Sequence, residues 1–212
     1  MRVLILVPIV HAEHDMGSLI EKVKEEYVRR HGPEKWDEHV RTIHGLWAEI
    51  RKAIESLDLP YQSVRLYQDG LPECGRELDI VGQLADKGSP NHQLLRELVA
   101  RGAKLMGTEN PELLVQEYRL HTEAAATPPR EAAEQEQDLT RRLLAARDRH
   151  IAARINATLM ADEIGLLFLG LAHSAEGLLD SDILVKTLLP WPREGQGKGA
   201  NGIHWLQDKP GT

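Results

Sequence analysis

The chain has 212 residues, of which 42% are hydrophobic and only one is phenylalanine, so we expect one domain with an aliphatic core. The net charge of −7 argues against a broad nucleic-acid-binding surface, and no apolar run approaches the ~20 residues that span a bilayer. The single cysteine, Cys74, excludes a disulfide framework and a CxxC zinc knuckle. No small-residue cleavage site follows the apolar N-terminus, so we expect a cytoplasmic protein.

The first strong element is the apolar run at residues 3–10, which reads Val-Leu-Ile-Leu-Val-Pro-Ile-Val. A continuous apolar run without polar alternation is typical of a strand that is buried on both faces of a parallel sheet. Two imidazoles and two carboxylates follow within five residues, from His11, Glu13, His14 and Asp15. Because ligands bind beyond the carboxyl ends of strands in open α/β sheets, the sequence predicts a functional site after this strand.

The rest of the chain alternates between helical and strand patterns. Apolar residues at intervals of three and four predict helices at 17–30, 33–57, 77–86, 93–101, 111–121, 130–161 and 178–188. Short apolar runs predict further strands at 62–68, 103–108 and 164–171. This alternation predicts an α/β fold: a mainly parallel sheet of four or more strands flanked by helices, with one long helix before the last main strand.

Domain organisation follows from the change in composition near residue 190. We expect a single α/β domain over residues 1–190 and a Gly- and Pro-rich tail over residues 191–212 that contributes little to the core. The tail contains one small apolar island around Trp205. It is therefore either a mobile extension or a strap that Trp205 docks against the domain.

Four of the predicted strands end in ionisable side chains: the cluster after the first strand, then Asp69, Glu109 and His173. Parallel strands joined by helical crossovers end at one rim of the sheet, so we expect these side chains to converge. Imidazoles and carboxylates serve both as metal ligands and as general acids or bases. The alternative is that they form turns and helix caps, and Asp69, which precedes Gly70, suits a turn.

The long predicted helix carries a carboxylate in its apolar stripe. Asp148 lies between Leu144 and Ile151 on the face that should pack on the sheet, and Arg147 lies at the edge of that face. An unpaired buried carboxylate costs several kcal/mol, on the order of the desolvation penalty of an ion, so Asp148 requires a partner. Either they take part in a structural Arg–Asp or helix–loop ion pair, or one of them reaches the rim to bind a substrate or to orient a histidine.

This order of parts resembles the superfamily that includes erythromycin esterase, the haem-binding ChaN lipoprotein and the TraB/Tiki proteins. Those families place a Gly-Glu-x-His-like motif after the first strand, an Arg-[Asp/Asn]-x-x-[Met/Ile/Trp]-Ala motif on a helix, and a Gly-x-x-His-like motif after a late strand. The corresponding positions here are Glu13 with His14, Arg147 with Asp148, and Gly170 with His173. The first motif departs from the family pattern, since it reads His-Ala-Glu-His. Over roughly residues 3–188, the resemblance implies a polar pocket at the strand ends with histidine as base or metal ligand.

The leading hypothesis is a metal-dependent or histidine-based hydrolase of a small molecule. Its candidate ligands for a divalent metal ion are His11, His14 and His173. Its candidate catalytic residues are Glu13, Asp69, Glu109, Arg147 and Asp148, with Arg147 steadying an anionic substrate or intermediate. The alternative is a non-catalytic protein of the same fold that binds a small ligand, a metal or haem. A third interpretation takes Trp36 and Trp47 as the face of a homodimer, although aromatic residues at helical spacing are more often core.

Overall fold

The computed structural model describes residues 1–15, 20–123, 131–189 and 204–205. Within these ranges the chain forms one six-stranded sheet with the strand order β3-β2-β4-β1-β5-β6. The strands are β1 (Arg2–Ile9), β2 (Val64–Gln68), β3 (Lys104–Met106), β4 (Ile164–Gly170), β5 (Ile183–Leu189) and β6 (His204–Trp205). Neighbouring strands from β3 to β5 pair in parallel, and β6 pairs antiparallel with β5. The predicted fold class and the single sheet containing the four predicted strands are confirmed.

Six described helices flank the sheet. They are α1 (Ile20–His31), α2 (Pro33–Glu55), α3 (Glu77–Asp86), α4 (Pro90–Ala100), α5 (Pro111–Glu123) and α6 (Glu131–Thr158). A proline occupies the first turn of α2 and of α4, where a missing N–H costs little. Gly32 separates α1 from α2 with a φ of +88°, a left-handed conformation that favours glycine. No described helix is long and apolar enough to cross a membrane.

Alternate residues of the central strand β1 point to opposite faces of the sheet and build two cores. Ile5, Val7 and Ile9 pack with side chains of α2, α3 and α4 on one face. Leu4 and Leu6 pack with side chains of α6 on the other face. Because both faces are covered, β1 tolerates the continuous apolar run that its sequence shows.

Proline at position 8 is compatible with a central strand because of where the two ladders of β1 end. The pairing with β4 continues from Val3 to Ile9, whereas the pairing with β5 stops at Leu6. Pro8 therefore lies in the last part of β1, where only one neighbour remains.

The helix predicted at 178–188 is wrong, because residues Ile183–Leu189 form strand β5. Leu184 and Leu188 are four residues apart and imitate a helical stripe, but the segment also contains the β-branched Ile183, Val185 and Thr187. β5 pairs in parallel with β1 and so completes the ladder on that side of the strand. The hydrogen bonds between β5 and β1 therefore determine the structure of this segment, and its helix-like spacing of leucines does not.

Two other predictions concern regions at the limits of the described structure. The tail at 191–212 lies outside the described residues, except that His204–Trp205 pairs with the end of β5. Its small contribution to the core stays a prediction. Trp36 and Trp47 are both buried within the chain, and the indole of Trp47 donates a hydrogen bond of 3.1 Å to the carbonyl of Val10. They therefore belong to the core and do not present the predicted dimer face.

Candidate active site at the strand ends

Three neighbouring strands, β2, β4 and β1, bring together Asp69, His173 and His11, which we call the Asp69 cluster. The Nε2 atom of His11 lies 3.4 Å from Oδ2 of Asp69, and the Nε2 atom of His173 lies 3.4 Å from Oδ1. The His11 side chain is 43% exposed, whereas that of His173 is only 4% exposed. One buried carboxylate therefore lies between a buried imidazole and an imidazole that faces solvent.

The backbone and one arginine fix the position of Asp69. The amide of Gly170 donates to Oδ2 of Asp69 at 3.0 Å, and Arg147 donates to Oδ1 at 2.7 Å. A Cβ atom at position 170 would lie 2.6 Å from Oδ2 of Asp69, so only glycine allows this close approach. The close contact with Asp69 therefore explains why position 170 is a glycine.

Asp148 on α6 orients the buried histidine. Its Oδ1 atom lies 2.6 Å from Nδ1 of His173, and its Oδ2 atom accepts a 3.1 Å hydrogen bond from the amide of Ser174. Because an ionised carboxylate only accepts hydrogen bonds, Nδ1 of His173 carries a proton and Nε2 is the atom that faces Asp69. Asp148 thus forms a helix–loop pair that orients His173, and the Arg–Asp pair of this helix joins Arg147 to Asp69.

Arg147 connects three carboxylates beneath the rim. It donates from Nε to Glu109 at 2.8 Å, from Nη1 to Glu117 at 2.7 and 2.8 Å, and from Nη2 to both Asp69 and Glu109. Glu109 also accepts a hydrogen bond of 3.1 Å from the amide of Gly70. All three nitrogen atoms of the buried guanidinium are thus engaged within the protein. This geometry suits an anchor for carboxylates and does not suit the predicted binding of an anionic substrate.

The ionisation of the Asp69 cluster follows from these contacts. Burial alone would raise the pKa of Asp69, but His11 and His173 together hold it well below its usual value. Asp69 in turn raises the pKa of His11. Burial opposes the charged form of His173, yet Asp69 and Asp148 raise its pKa above the usual value. Asp69 is therefore ionised at neutral pH, and its charge stabilises a proton on either imidazole.

Asp69, Glu109 and His173 also satisfy the distance requirement for a metal site, with one ligand atom from each within 4.8 Å of the others. However, the guanidinium of Arg147 already contacts both carboxylates. A divalent cation would lie beside that positive charge and would have to displace it, which is electrostatically unfavourable. The residues present therefore fit a metal ion poorly at this position.

His14 is placed apart from the other two predicted metal ligands. Its Nδ1 atom lies 3.3 Å from Oε1 of Glu13, and the Nε2 atom of His44 on α2 lies 2.9 Å from the same oxygen. We call these three residues the Glu13 cluster. Of the predicted residues, His11, His173, Asp69, Glu109, Arg147 and Asp148 thus form one connected network, and Glu13 and His14 belong to a second group.

A third polar network, formed by Asp15, Ser89 and His92, was not predicted. Oδ1 of Asp15 accepts a hydrogen bond of 2.5 Å from Ser89 and lies 3.1 Å from Nδ1 of His92, and Ser89 also caps α4. Although these are the residue types of a hydrolytic triad, Ser89 is fully buried and the same histidine nitrogen faces both partners. The network is therefore structural. Its sequence signals were Asp15, in the ionisable cluster after the first strand, and the Ser89-Pro90 pair, as a helix start.

Two further residues, His44 and Glu117, were missed for a common reason. Both lie within helices and not at a strand end, and each is one polar residue among many on its helix. Neither carries a local signal that would single it out.

Comparisons of this chain with protein-family models, with curated proteins and with solved structures find no match. The superfamily resemblance therefore stays a hypothesis, and the function has to be argued from the site itself.

Proposed function

We propose that the protein is a hydrolase of a small molecule in which His11 is the general base. The observation that carries this proposal is the position of the Asp69 carboxylate beside the exposed imidazole of His11. A carboxylate beside Nε2 favours the tautomer that is protonated there, which leaves Nδ1 as the proton acceptor. Nδ1 of His11 then takes a proton from water while the water oxygen forms a bond to the electrophilic carbon of the substrate. The bond from that carbon to the leaving group breaks next, and the imidazolium of His11 returns the proton to the leaving group. Asp69 stabilises the imidazolium that forms.

The buried residues behind Asp69 act as positioning residues in this proposal. Arg147 and the amide of Gly170 hold both carboxylate oxygens of Asp69, so the carboxylate cannot rotate away from His11. His173, itself held by Asp148, supplies a second polar partner that favours the ionised form of Asp69. A base whose orienting group is fixed in this way needs little reorganisation during the reaction.

Hydrolysis is the reaction class that the resemblance to erythromycin esterase suggests. The sequence contains no nucleophile elbow, which favours direct attack by water over an acyl-enzyme route. We propose a small-molecule substrate and a cytoplasmic location, with neither nucleic acid nor membrane as a partner. The metal-dependent form of the hypothesis is less favoured at this rim, because Arg147 holds the carboxylates that a metal ion would need.

The test is hydrolysis of p-nitrophenyl acetate and p-nitrophenyl butyrate by wild type, His11→Ala and the control His31→Ala. His31 is an exposed histidine at the end of α1, outside the Asp69 cluster. We expect His11→Ala to lower kcat/KM by about 100-fold or more, as is typical when a general base is lost, and His31→Ala to leave it unchanged. Asp69→Asn should also lower it, because the imidazolium loses its counter-charge.

Three outcomes would count against the proposal. Equal rates for wild type and His11→Ala would contradict a role for His11 as base. Loss of activity in EDTA would favour the metal-dependent form of the hydrolase. Binding of the esters without turnover would favour the non-catalytic alternative, in which the same rim holds a small ligand.

A further inference from the structure

We propose that the Glu13 cluster, formed by Glu13, His14 and His44, binds a divalent transition-metal ion of the zinc class. Glu13 and His14 lie in a short 3-10 helix, Glu13–Asp15, that follows β1, and His44 faces them from α2. Two imidazoles and one carboxylate are the ligand set of many catalytic zinc sites. This site is separate from the Asp69 cluster and does not depend on the proposed hydrolase activity.

The distances within the cluster suit a tetrahedral ion. With metal–ligand bonds of ~2.1 Å, neighbouring ligand atoms of a tetrahedral site are about 3.4 Å apart. Oε1 of Glu13 lies 3.3 Å from Nδ1 of His14 and 2.9 Å from Nε2 of His44. One ligand atom from each of the three residues lies within 4.8 Å of the others. Small side-chain rotations would therefore bring all three to bonding distance of one ion.

Two atoms of the cluster are buried without a hydrogen-bond partner. They are Oε2 of Glu13 and Nδ1 of His14, the latter of which is close to the carboxylate without the geometry of a hydrogen bond. Buried polar atoms without partners are unfavourable, and each such atom in a native protein calls for an explanation. A metal ion bound to Nδ1 of His14 would satisfy that atom, and binding through both carboxylate oxygens of Glu13 would satisfy Oε2 as well. The other nitrogen of His14, Nε2, faces Gly88, where a Cβ atom would lie 3.4 Å away, so Nδ1 is the nitrogen available to a ligand.

The charge around this cluster differs from that around Asp69. Among the described residues, no lysine or arginine pairs with the carboxylate of Glu13, whose ion-pair partners there are the two imidazoles. A cation at this position therefore does not have to displace a guanidinium or an ammonium group of the described residues. Three protein ligands leave a fourth position open, and the His44 side chain is 45% exposed, so water can complete the coordination.

The test measures binding of Zn²⁺ and Co²⁺ to protein that has been freed of metal with EDTA and then dialysed. Isothermal titration of the full chain with Zn²⁺ should show one tight equivalent, and Co²⁺ should give the intense visible absorption of a four- or five-coordinate ion. His44→Ala should weaken Zn²⁺ binding by about 100-fold or more, beyond the 10–100-fold typical of losing a residue that only supports a ligand. His39→Ala, which removes another histidine from α2, is the matched control and should bind as wild type does.

Other results of these Zn²⁺ titrations would contradict the proposed site. The proposal fails if wild type takes up no stoichiometric Zn²⁺, or if His44→Ala and Glu13→Gln both bind it as wild type does. Binding that is lost in His173→Ala but kept in His44→Ala would place the ion at Asp69, Glu109 and His173 instead. If His44→Ala proves unfolded by circular dichroism, His44→Gln keeps the side-chain volume and a hydrogen bond to Glu13, and it should still lose the metal.

Discussion

At the scale of single residues, Arg147 is the counter-ion that allows carboxylates to be buried near the ends of the strands. Its guanidinium contacts the carboxylates of Asp69, Glu109 and Glu117, and the first two of these are buried. Burial alone would lower the pKa of the Arg147 guanidinium, but the carboxylates of Glu109, Asp69 and Glu117 have the larger effect and raise this pKa above its usual value. The charge is thus permanent, and it stabilises carboxylates that would otherwise be buried without a counter-ion.

We expect Arg147→Met to destabilise the protein by about 3–5 kcal/mol, because removing one partner of a buried ion pair leaves an uncompensated charge. Urea unfolding followed by circular dichroism measures the loss. Arg141→Met is the matched control, because Arg141 lies on the same helix with a side chain that is 76% exposed. Its substitution should change stability little. Similar losses for the two variants would show that the buried network does not contribute to the free energy of unfolding.

At the scale of elements, local pattern predicted most of the fold. The runs at residues 3–10 and 164–171 are apolar throughout, and a continuous apolar run of this short length is typical of a strand covered on both faces. The pattern failed at β5, where a spacing of four between two leucines imitates a helix and the deciding contact is with β1, far away in sequence. It also could not place His44, because a polar residue on the solvent side of α2 looks the same whether or not it meets a loop.

Besides the apolar packing between β1 and α2, a partly buried hydrogen bond joins the indole of Trp47 to the carbonyl of Val10, just after β1. We expect Trp47→Phe to lower the free energy of unfolding by about 0.5–1.5 kcal/mol, because a partly buried carbonyl loses its donor. Urea titration measures this loss, and Trp36→Phe, a buried change nearer the start of the same helix, is the control. Because Val10 precedes His11, a larger effect of Trp47→Phe on metal binding or hydrolysis than on stability would show that α2 also positions the loop after β1.

At the scale of the whole molecule, the order of the strands creates the candidate active site. Asp69, His173 and His11 are distant in sequence and converge because β2, β4 and β1 are neighbours in the sheet. The sequence predicted that strand ends would share a rim, since parallel strands with helical crossovers require it. It did not predict which ends would be adjacent, because strand order depends on long-range pairing. It also did not predict the short 3-10 helix Glu13–Asp15 after β1, which places His14 beside Glu13 although His11 follows the same strand.

The convergence of these groups also makes stability depend on pH. The raised pKa of His173 means that the stabilisation it contributes is fully present below the unfolded value of about 6.5 and is lost as pH rises through the folded value. The lowered pKa of Asp69 means that its stabilisation is present above the unfolded value of about 3.9 and is lost as pH falls towards the folded value. The stabilisation from His173 and the stabilisation from Asp69 are therefore both fully present between about pH 4 and pH 6.5.

We expect the difference in free energy of unfolding between wild type and His173→Gln to be largest in that interval and to decrease as pH rises above about 6.5. The decrease arises because deprotonation of His173 removes its attraction to the carboxylates of Asp69 and Asp148, whereas the packing lost in the variant is independent of pH. Urea titrations at a series of pH values measure this difference. His31→Gln, at an exposed position outside the Asp69 cluster, is the control. A difference for His173→Gln that stayed constant or grew between pH 6.5 and about pH 9 would show that His173 is not a cation held by the two carboxylates.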